Sequence, residues 1–595
     1  MSDLEENVPV IKKFVENDAG DGTRREDQYL TGRKLVIALL SVLSCMFLVG
    51  LDQTIVTTIL TQVGNKFDAF SKIGWLVSGF MVPIAVFAAN WGQASIIFGR
   101  KYTMLVGIVL FEAGSLLCAL ATGMNMLIGG RVLAGFGAGC IQTLVFIVSS
   151  EMTPINLRPF VFASFGLVMA VSLVSGPIIG GAFASSVSWR WCFYVNLPIG
   201  GLAGLMFSLT FNPPPPKIEL RSKFKLIDYT GTLLIAAGVV LFLVGVTFTS
   251  TGQYPWDSAA VISMVVLGSL FFISFFVWSF KFSHHPLIPF DLVKVLPLTA
   301  AGFCMFFMFM TFMGSLLYQS VYYQNIKGRD ALHSGLSTLT IVIPMIMGSV
   351  GGGIAIGRTR HIKPFLVSAS AIVLVGSGLL TLVEVDSSLG QLIGYNIPFS
   401  MGCGLLLQGC LSSSQVVAPK IDGGIIMASS FMLFMRSIGA ALASILCDII
   451  YHSSFNTKLQ PALNALTDKS LIDELSAFDF ASLSSNTGSL ATLSPKALLV
   501  VRKVMMNSIR NVYYFVCGTA ALALIFGVFT SNRRVPSKDE VVTKKERDAQ
   551  DRAALELANK SDNALEASDL SSRISTTERD SGSVTTTKEL NTEKA

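Results

Sequence analysis

Ser172–Phe183 reads SLVSGPIIGGAF and lies inside a run of more than twenty apolar or small residues that carries no charge. A helix in water needs a polar face, whereas a helix surrounded by lipid and other helices does not. Pro177 cannot donate a backbone hydrogen bond, and its ring crowds the preceding turn, so we expect the helix to bend or loosen there. Gly176, Gly180 and Gly181 lack side chains, which predicts close approach of a neighbouring backbone. The stretch therefore predicts a flexible, tightly packed membrane helix.

The composition extends this interpretation to the whole chain. The 595 residues are 52% hydrophobic and 14% charged, which is typical of a multi-pass membrane protein. From Val36 onward, fourteen apolar runs approach the ~20 residues that a helix needs to cross a bilayer. We therefore predict an all-α polytopic membrane protein with 14 spans. The runs are approximately 36–60, 73–92, 102–122, 126–150, 160–184, 191–211, 229–250, 260–280, 298–320, 334–356, 365–383, 392–414, 425–450 and 509–530.

The distribution of Lys and Arg predicts the orientation of these spans. Basic residues gather in the loops on one side of the predicted membrane, and this side is normally cytoplasmic. An even number of spans then places both termini in the cytoplasm. We expect disordered cytoplasmic tails over 1–34 and 531–595. Between them we expect an N-terminal bundle of six helices over 35–211 and a cytoplasmic connector with two additional helices over 212–283. A C-terminal bundle of six helices should follow over 284–530, with a long non-cytoplasmic loop at 451–507.

Charged residues inside the spans are the candidates for function. Each costs ~2.5 to 3.5 kcal/mol in the bilayer and usually faces a cavity or an opposite charge. Asp52 in the first span and Arg131 in the fourth both lie toward the non-cytoplasmic side, because these spans run in opposite directions. We expect them to pair, and uptake of a proton by the carboxyl would break the pair. A static buried ion pair is the alternative.

Glu112 and Arg436 are two further charges at membrane depth. Glu112 lies in the middle of the third span and suits a cationic substrate or a second proton site. A protonated carboxyl that donates to a neighbouring backbone carbonyl is the alternative. Arg436, in the thirteenth span, is expected to balance a carboxylate across the cavity.

Three motifs resemble the major facilitator superfamily. The Gly-Pro-x-x-Gly-Gly pattern of Gly176–Gly181 resembles its antiporter motif, although a packing kink without functional meaning is the alternative. Leu51–Val56, LDQTIV, resembles a signature of the fourteen-helix drug:proton antiporter branch, and Trp189–Gly200, WRWCFYVNLPIG, resembles the string that opens span six there. The resemblance implies two six-helix bundles plus two additional helices.

Arg131–Gly139, RVLAGFGAG, is similar to the superfamily motif in span four, with Ala134 in place of the usual Gln. The resemblance implies that Gly135 belongs to the conformational motif together with Gly176, Pro177, Gly180 and Gly181.

The loop between spans two and three carries a damaged motif. Gly92–Lys101 reads GQASIIFGRK and resembles the superfamily's gating loop, but Ile96 and Ile97 replace its Asp and first basic residue. That part of the usual lock is therefore missing. A fainter copy, Gly353–Arg358, follows span ten, where a duplicated six-helix unit would place it. The residues expected to form the gating loop are Gly92, Gly99, Arg100 and Lys101.

The resemblance also narrows the function. Phe111–Leu116, FEAGSL, is similar to fungal vacuolar basic amino acid transporters. We expect a proton-coupled antiporter that removes small molecules from the cytosol, with basic amino acids moved into the vacuole as the first hypothesis. A multidrug exporter of amphiphilic or cationic compounds at the plasma membrane is the alternative, and siderophore carriers are a more distant one. A transport-inactive nutrient sensor is the alternative of another class.

Other functions lack support in the sequence. No phosphate-binding Gly-x-x-x-x-Gly-Lys-Ser/Thr motif is present, and the five histidines lie near span ends or in loops. The sequence therefore predicts no enzyme, no cofactor and no metal site. The expected partners are protons, a small-molecule substrate and the lipid bilayer, without nucleic acid, and the chain is expected to be a monomer in the vacuolar or plasma membrane.

Overall fold

The computed structural model describes residues 28–69, 72–216, 223–250, 254, 257–329, 336–421, 423–464, 469–476, 493–542, 546–549 and 552–553. The chain divides into two compact units. Asn17–Pro536 forms the larger one. The described part of the smaller one begins at Ser537, which caps a short 3-10 turn at Lys538–Glu540.

In the described residues of the larger unit there are fourteen long helices, which we number α1 to α14 in chain order. Helix α9 continues into a π-turn at Tyr322–Ile326, and α6 includes a short first segment, Trp191–Tyr194. The helices are α1 (Gly32–Ile55), α2 (Gly74–Phe98), α3 (Arg100–Ala119), α4 (Met124–Met152), α5 (Arg158–Ser186), α6 (Trp191–Thr210), α7 (Tyr229–Ser250), α8 (Ala259–Lys281), α9 (Leu296–Val321), α10 (Leu339–Thr359), α11 (Lys363–Leu380), α12 (Leu389–Val417), α13 (Gly424–Asn464) and α14 (Pro495–Val528).

Thirteen of these helices are long and apolar enough to cross a membrane. Helix α12 has 29 residues but is interrupted by polar side chains such as Asn396 and Gln408, which lower its mean hydropathy. Over the ranges that the structure describes there is no β-strand, only an isolated bridge between His361 and Arg534. The prediction of an all-α polytopic membrane protein is confirmed.

The helices form two groups and a separate pair. Helices α1 to α6 pack on one another, as do α9 to α14. The two groups meet where α2 contacts α13 and where α5 contacts α10. Helices α7 and α8 pack together, and α7 also contacts α2 and α13. This arrangement agrees with two six-helix bundles plus two additional helices.

The glycine motif of α5 lies against α1. A side chain at Gly176 would overlap Thr54, and one at Gly180 would overlap Ile55, so both glycines allow the close approach that the sequence predicts. Gly181 has no neighbouring atom within 4 Å, so the close approach predicted there is absent. Helix α5 continues through Pro177 without a break.

The predicted inner boundaries of the two terminal tails require correction. Helix α1 begins at Gly32, inside the predicted tail 1–34, and the Leu30 backbone N–H donates to the Met152 carbonyl at 3.1 Å. After α14, the Val535 backbone N–H donates to the Arg360 carbonyl at 2.8 Å, so the start of the predicted tail 531–595 is ordered against the α10–α11 loop. Residues 1–27 and 554–595 lie outside the described part of the chain.

The predicted loop 451–507 is partly helical. Helix α13 continues to Asn464, and α14 already begins at Pro495, which leaves a short helix, Lys469–Ser476, between them. The extension of α13 buries one side chain per turn, while polar residues on its other face lower its mean hydropathy. Those buried residues are Tyr451, Phe455, Leu459 and Leu463.

Candidate transport site

A buried ion pair joins α1 to α4. Arg131 Nη1 pairs with the Asp52 carboxylate, and the two side chains are 2% and 0% exposed. Arg131 Nε also donates to the Leu76 carbonyl of α2 at 3.0 Å, and its guanidinium lies 4.1 Å from the centre of the Phe80 ring. A side chain at Gly135 would overlap the backbone of Phe80, so this glycine lets α4 approach α2 beside the pair. The structure therefore brings together the two charges that the sequence predicts to pair.

Asn196 completes this cluster and was missed in the sequence analysis as a site residue. Its Nδ2 donates to Asp52 Oδ1 at 3.3 Å and to Ser115 Oγ at 3.1 Å. Its side chain is fully buried at the start of the main segment of α6. Asn196 belongs to the WRWCFYVNLPIG motif, which was the signal available in the sequence, but the motif does not show that its amide reaches Asp52.

A neutral cluster occupies the corresponding place in the second bundle. Gln319 of α9 and Asn396 of α12 donate to each other at 2.6 and 3.0 Å, and Asn396 also donates to Thr340 Oγ1 at 2.9 Å. Asn396 is the eighth residue of α12, as Arg131 is the eighth of α4. The two bundles therefore carry polar clusters at matching positions, one charged and one neutral.

Glu112 points from α3 toward α1 and α6. A side chain at Gly200 of α6 would overlap Glu112 Oε1, and Leu48 of α1 lies beside the same position. Neither carboxyl oxygen has a hydrogen-bond partner among the described residues, so the backbone hydrogen bond considered as an alternative is not formed. Glu112 is not part of the wall of the central hollow. Its role in substrate or proton binding stays a prediction.

A central hollow with a volume of about 80 Å³ lies between the two bundles. Gln53 and Arg436 are the only polar side chains in its described wall, and the Arg436 guanidinium lies 4.7 Å from the centre of the Phe309 ring. No described carboxylate lies within ion-pair distance of Arg436, so the expected partner across the cavity is not observed. The rest of the wall consists of Met46, Phe146, Phe162, Phe165, Gly166, Met169, Leu173, Phe309, Phe312, Met313, Leu316, Val342, Met345, Leu407 and Leu411.

A second buried ion pair lies beside the loop between α2 and α3 and joins the start of α3 to the end of α4. Arg100 Nε pairs with Glu151 Oε1 of α4 at 2.9 Å, and both side chains are fully buried. Gly99 has φ +93°, a conformation that other residues rarely adopt. Lys101 Nζ donates to the Ser208 carbonyl at 2.6 Å. Arg100 was predicted as a residue of the gating loop, whereas Glu151 was not, because a carboxylate at the end of a span gives no signal of pairing.

Polar contacts between the bundles lie at the same end of the helices. Gln408 Nε2 of α12 donates to the Pro159 carbonyl of α5 at 2.7 Å, and Arg158 Nη1 donates to Gln415 Oε1 at 3.4 Å. A side chain at Gly92 of α2 would overlap Ser430 Oγ of α13. The bundles are therefore in close contact at the end that carries the α2–α3 loop.

Two helical bundles around a hollow, with buried charges at membrane depth, define a multi-pass membrane transporter. The family model "Major Facilitator Superfamily" matches residues 42–444. The chain belongs to this superfamily, which consists of transporters rather than enzymes.

Two relatives from Saccharomyces cerevisiae differ in what their names say they handle. Vacuolar basic amino acid transporter 5 is 32% identical over 88% of this chain and 96% of its own length. Azole resistance protein 1 is 29% identical over 90% of this chain and 93% of its own. The crystal structure of the human organic anion transporter MFSD10 matches the fold with a TM-score of 0.52 at 12% identity, covering 84% of this chain and 100% of that one.

Proposed function

We propose that this protein is a proton-coupled antiporter that removes aromatic, amphiphilic compounds from the cytosol. One observation carries the proposal. The central hollow is walled by aromatic, thioether and aliphatic side chains, and its described wall contains an arginine but no carboxylate.

The chemistry of this wall favours a neutral or weakly anionic aromatic cargo. Phenyl rings and flexible Met side chains adapt to apolar molecules of different shape. Arg436 and Gln53 supply a small number of polar groups that orient the cargo. A dibasic amino acid would place its positive charge near Arg436 without a carboxylate in the wall to compensate it.

Helix α1 connects the hollow to the buried ion pair. Gln53 lies in the wall of the hollow, and its neighbour Asp52, on an adjacent face of the helix, pairs with Arg131. Protonation of Asp52 would remove the charge that holds Arg131 and free both side chains to rearrange. In this proposal, the resulting shift of α1 against α4 makes cargo binding and proton binding alternate.

Transport of basic amino acids into the vacuole is the second candidate. The relative named for that activity is 32% identical over 88% of this chain, and Glu112 has no hydrogen-bond partner among the described residues. Glu112 would then serve a cationic cargo only after a rearrangement that opens a path from α3 to the hollow.

Flux measurements in proteoliposomes with an imposed pH gradient separate the two candidates. We expect movement of an azole or a neutral aromatic dye and no movement of radiolabelled arginine above protein-free vesicles. The reverse result would support the second candidate, and no flux of either compound would contradict transport.

A matched pair of variants tests the site itself. Leu316 lies in the wall of the hollow, whereas the next residue, Leu317, is 40% exposed on the outside of α9. Leu316→Trp fills part of the hollow and should lower dye flux about tenfold, which corresponds to ~1.4 kcal/mol. Leu317→Trp should leave the flux unchanged. Equal effects of the two variants would contradict a cargo site in this hollow.

A further inference from the structure

A second apolar space lies outside the central hollow, between the α7–α8 pair and the α9–α13 wall. It consists of two adjoining hollows of about 230 and 390 Å³ that share Phe272, Ile438 and Leu442. We call this space the lateral slot. Seven phenylalanines line its larger part, Phe272, Phe276, Phe280, Phe303, Phe306, Phe431 and Phe434.

The lateral slot has the length of one leaflet of the bilayer. Ser269 lines the smaller hollow, and Phe280 lines the larger hollow near the C-terminal end of α8. The two residues are eleven positions apart on this helix. That spacing is about 16 Å at ~1.5 Å per residue. One leaflet contributes ~15 Å to a hydrocarbon core of ~30 Å. The slot therefore begins near the middle of α8 and ends where this helix leaves the membrane.

Basic side chains lie near the end of the slot that is formed by the C-terminus of α8. Lys281, the last residue of α8, is exposed, as are His284 and His285 just after it. Lys294 is 59% exposed and lies 3.1 Å from Asp291, which offsets part of its charge. The Phe280 and Phe290 rings, 5.2 Å apart, connect the end of α8 to the short helix that carries Lys294.

Hydrogen bonds hold the α7–α8 pair to α2 rather than to α9. Asn90 Nδ2 of α2 donates to Thr232 Oγ1 of α7 at 2.5 Å, and Gln93 Nε2 donates to the His285 carbonyl at 2.9 Å. The Asp228 carboxylate accepts from Trp278 Nε1 at 3.0 Å, which ties the start of α7 to α8. Helix α7 also contacts α13 at one edge of the slot, so the pair is held by α2 and α13 while the space beside α8 stays open.

We propose that the lateral slot binds one acyl chain of a glycerophospholipid from the leaflet at the Lys281 end, with an anionic headgroup held by Lys281 and Lys294. An unfilled gap of this size would forfeit dispersion contacts along its walls, and a flexible chain can fill it. The slot is lined almost entirely by apolar atoms, and the hydroxyls of Ser269 and Thr299 in its wall donate to the backbone carbonyls of Val265 and Val293. The basic residues at its mouth match a negatively charged headgroup.

Photolabelling of the purified full-length protein tests the proposal. The probe is a phosphatidylserine with a diazirine on its acyl chain, and labelled peptides are identified by mass spectrometry. We expect labels on the slot faces of α8 and α13. Labels spread evenly over the exposed outer surface would overturn the proposal.

Variants that fill the slot give a matched comparison. Ser269→Trp on α8 and Ala441→Trp on α13 insert an indole from opposite walls, and each should lower labelling about tenfold, or ~1.4 kcal/mol. Ser263→Trp, at an exposed position of the same α8, should not lower it. Unchanged labelling in both slot variants would contradict binding there.

The headgroup and the identity of the occupant are tested separately. The double variant Lys281→Ala/Lys294→Ala should abolish the preference for phosphatidylserine over phosphatidylcholine probes, whereas Lys420→Ala, an exposed lysine at the same end, should retain it. Excess aromatic dye should leave the labelling unchanged. If the dye prevents labelling, the slot is a cargo site. If labelling appears only in a dimer fraction, the slot is an interface between two copies of the chain. Either result overturns the proposal.

Discussion

The α1–α4 contact and the α9–α12 contact occupy matching places in the two bundles but differ in charge. The first joins Asp52 to Arg131, and the second joins Gln319 to Asn396. Both clusters are buried and hydrogen-bonded. A carboxylate beside an arginine can exchange a proton, whereas two amides cannot. The comparison teaches that both bundles place a buried polar contact here, whereas only the first carries a group of the kind that our proposed proton coupling requires.

The sharpest test converts the charged cluster into a copy of the neutral one. Asp52→Asn with Arg131→Gln should retain a hydrogen-bonded contact but abolish pH-driven flux in proteoliposomes, because no group there can exchange a proton. The single variant Asp52→Asn should also lose coupling while remaining folded and correctly targeted, as measured by gel filtration and microscopy. Full pH-driven flux in either variant would refute the coupling role of Asp52.

The Arg100–Glu151 pair tests whether any buried ion pair in the first bundle couples to protons. Glu151→Gln removes the carboxylate partner from a fully buried arginine and should lower stability by about 3 to 5 kcal/mol. Thermal unfolding in detergent measures this loss. The remaining flux should keep its pH dependence, since Glu151 lies away from the hollow. A flux that no longer responds to pH would assign coupling to this pair as well.

The neutral cluster should matter for stability alone. Gln319→Ala leaves the buried Asn396 amide without its partner and should cost about 1 to 3 kcal/mol. Thermal unfolding should report the loss, while the pH dependence of flux should match that of the unaltered protein. A changed pH profile would contradict the division of roles between the two bundles.

Glu112 is the one residue of this series whose replacement should cause no loss of stability. Because its buried carboxyl oxygens have no hydrogen-bond partner among the described residues, Glu112→Gln removes no observed contact and replaces an acid with a neutral side chain of the same shape, so it should not lower the free energy of unfolding. Uptake of arginine into isolated vacuoles checks its function. Unchanged uptake would remove the reason for linking Glu112 to a cationic cargo, and lost uptake would favour the second candidate function.

The motifs predicted a substantial part of the site. LDQTIV and the arginine of the fourth span gave the Asp52–Arg131 pair, because buried opposite charges on antiparallel helices have few other partners. Glu151 and Asn196 were not assigned as site residues, since the partner of a polar group depends on which helix packs beside it. The helical extension of α13 was also missed, because its polar face obscures the apolar residues that it buries.

The sequence by itself determined that the chain crosses the membrane as apolar helices and which few charges it places there, because both follow from the cost of exposing polar groups to lipid. Only the tertiary structure decided that Arg436 lies in the central hollow while Glu112 lies outside it, and that a slot opens beside α8. These outcomes depend on the rotation and neighbours of each helix. Hydropathy along a chain does not encode them when nearly every face is apolar.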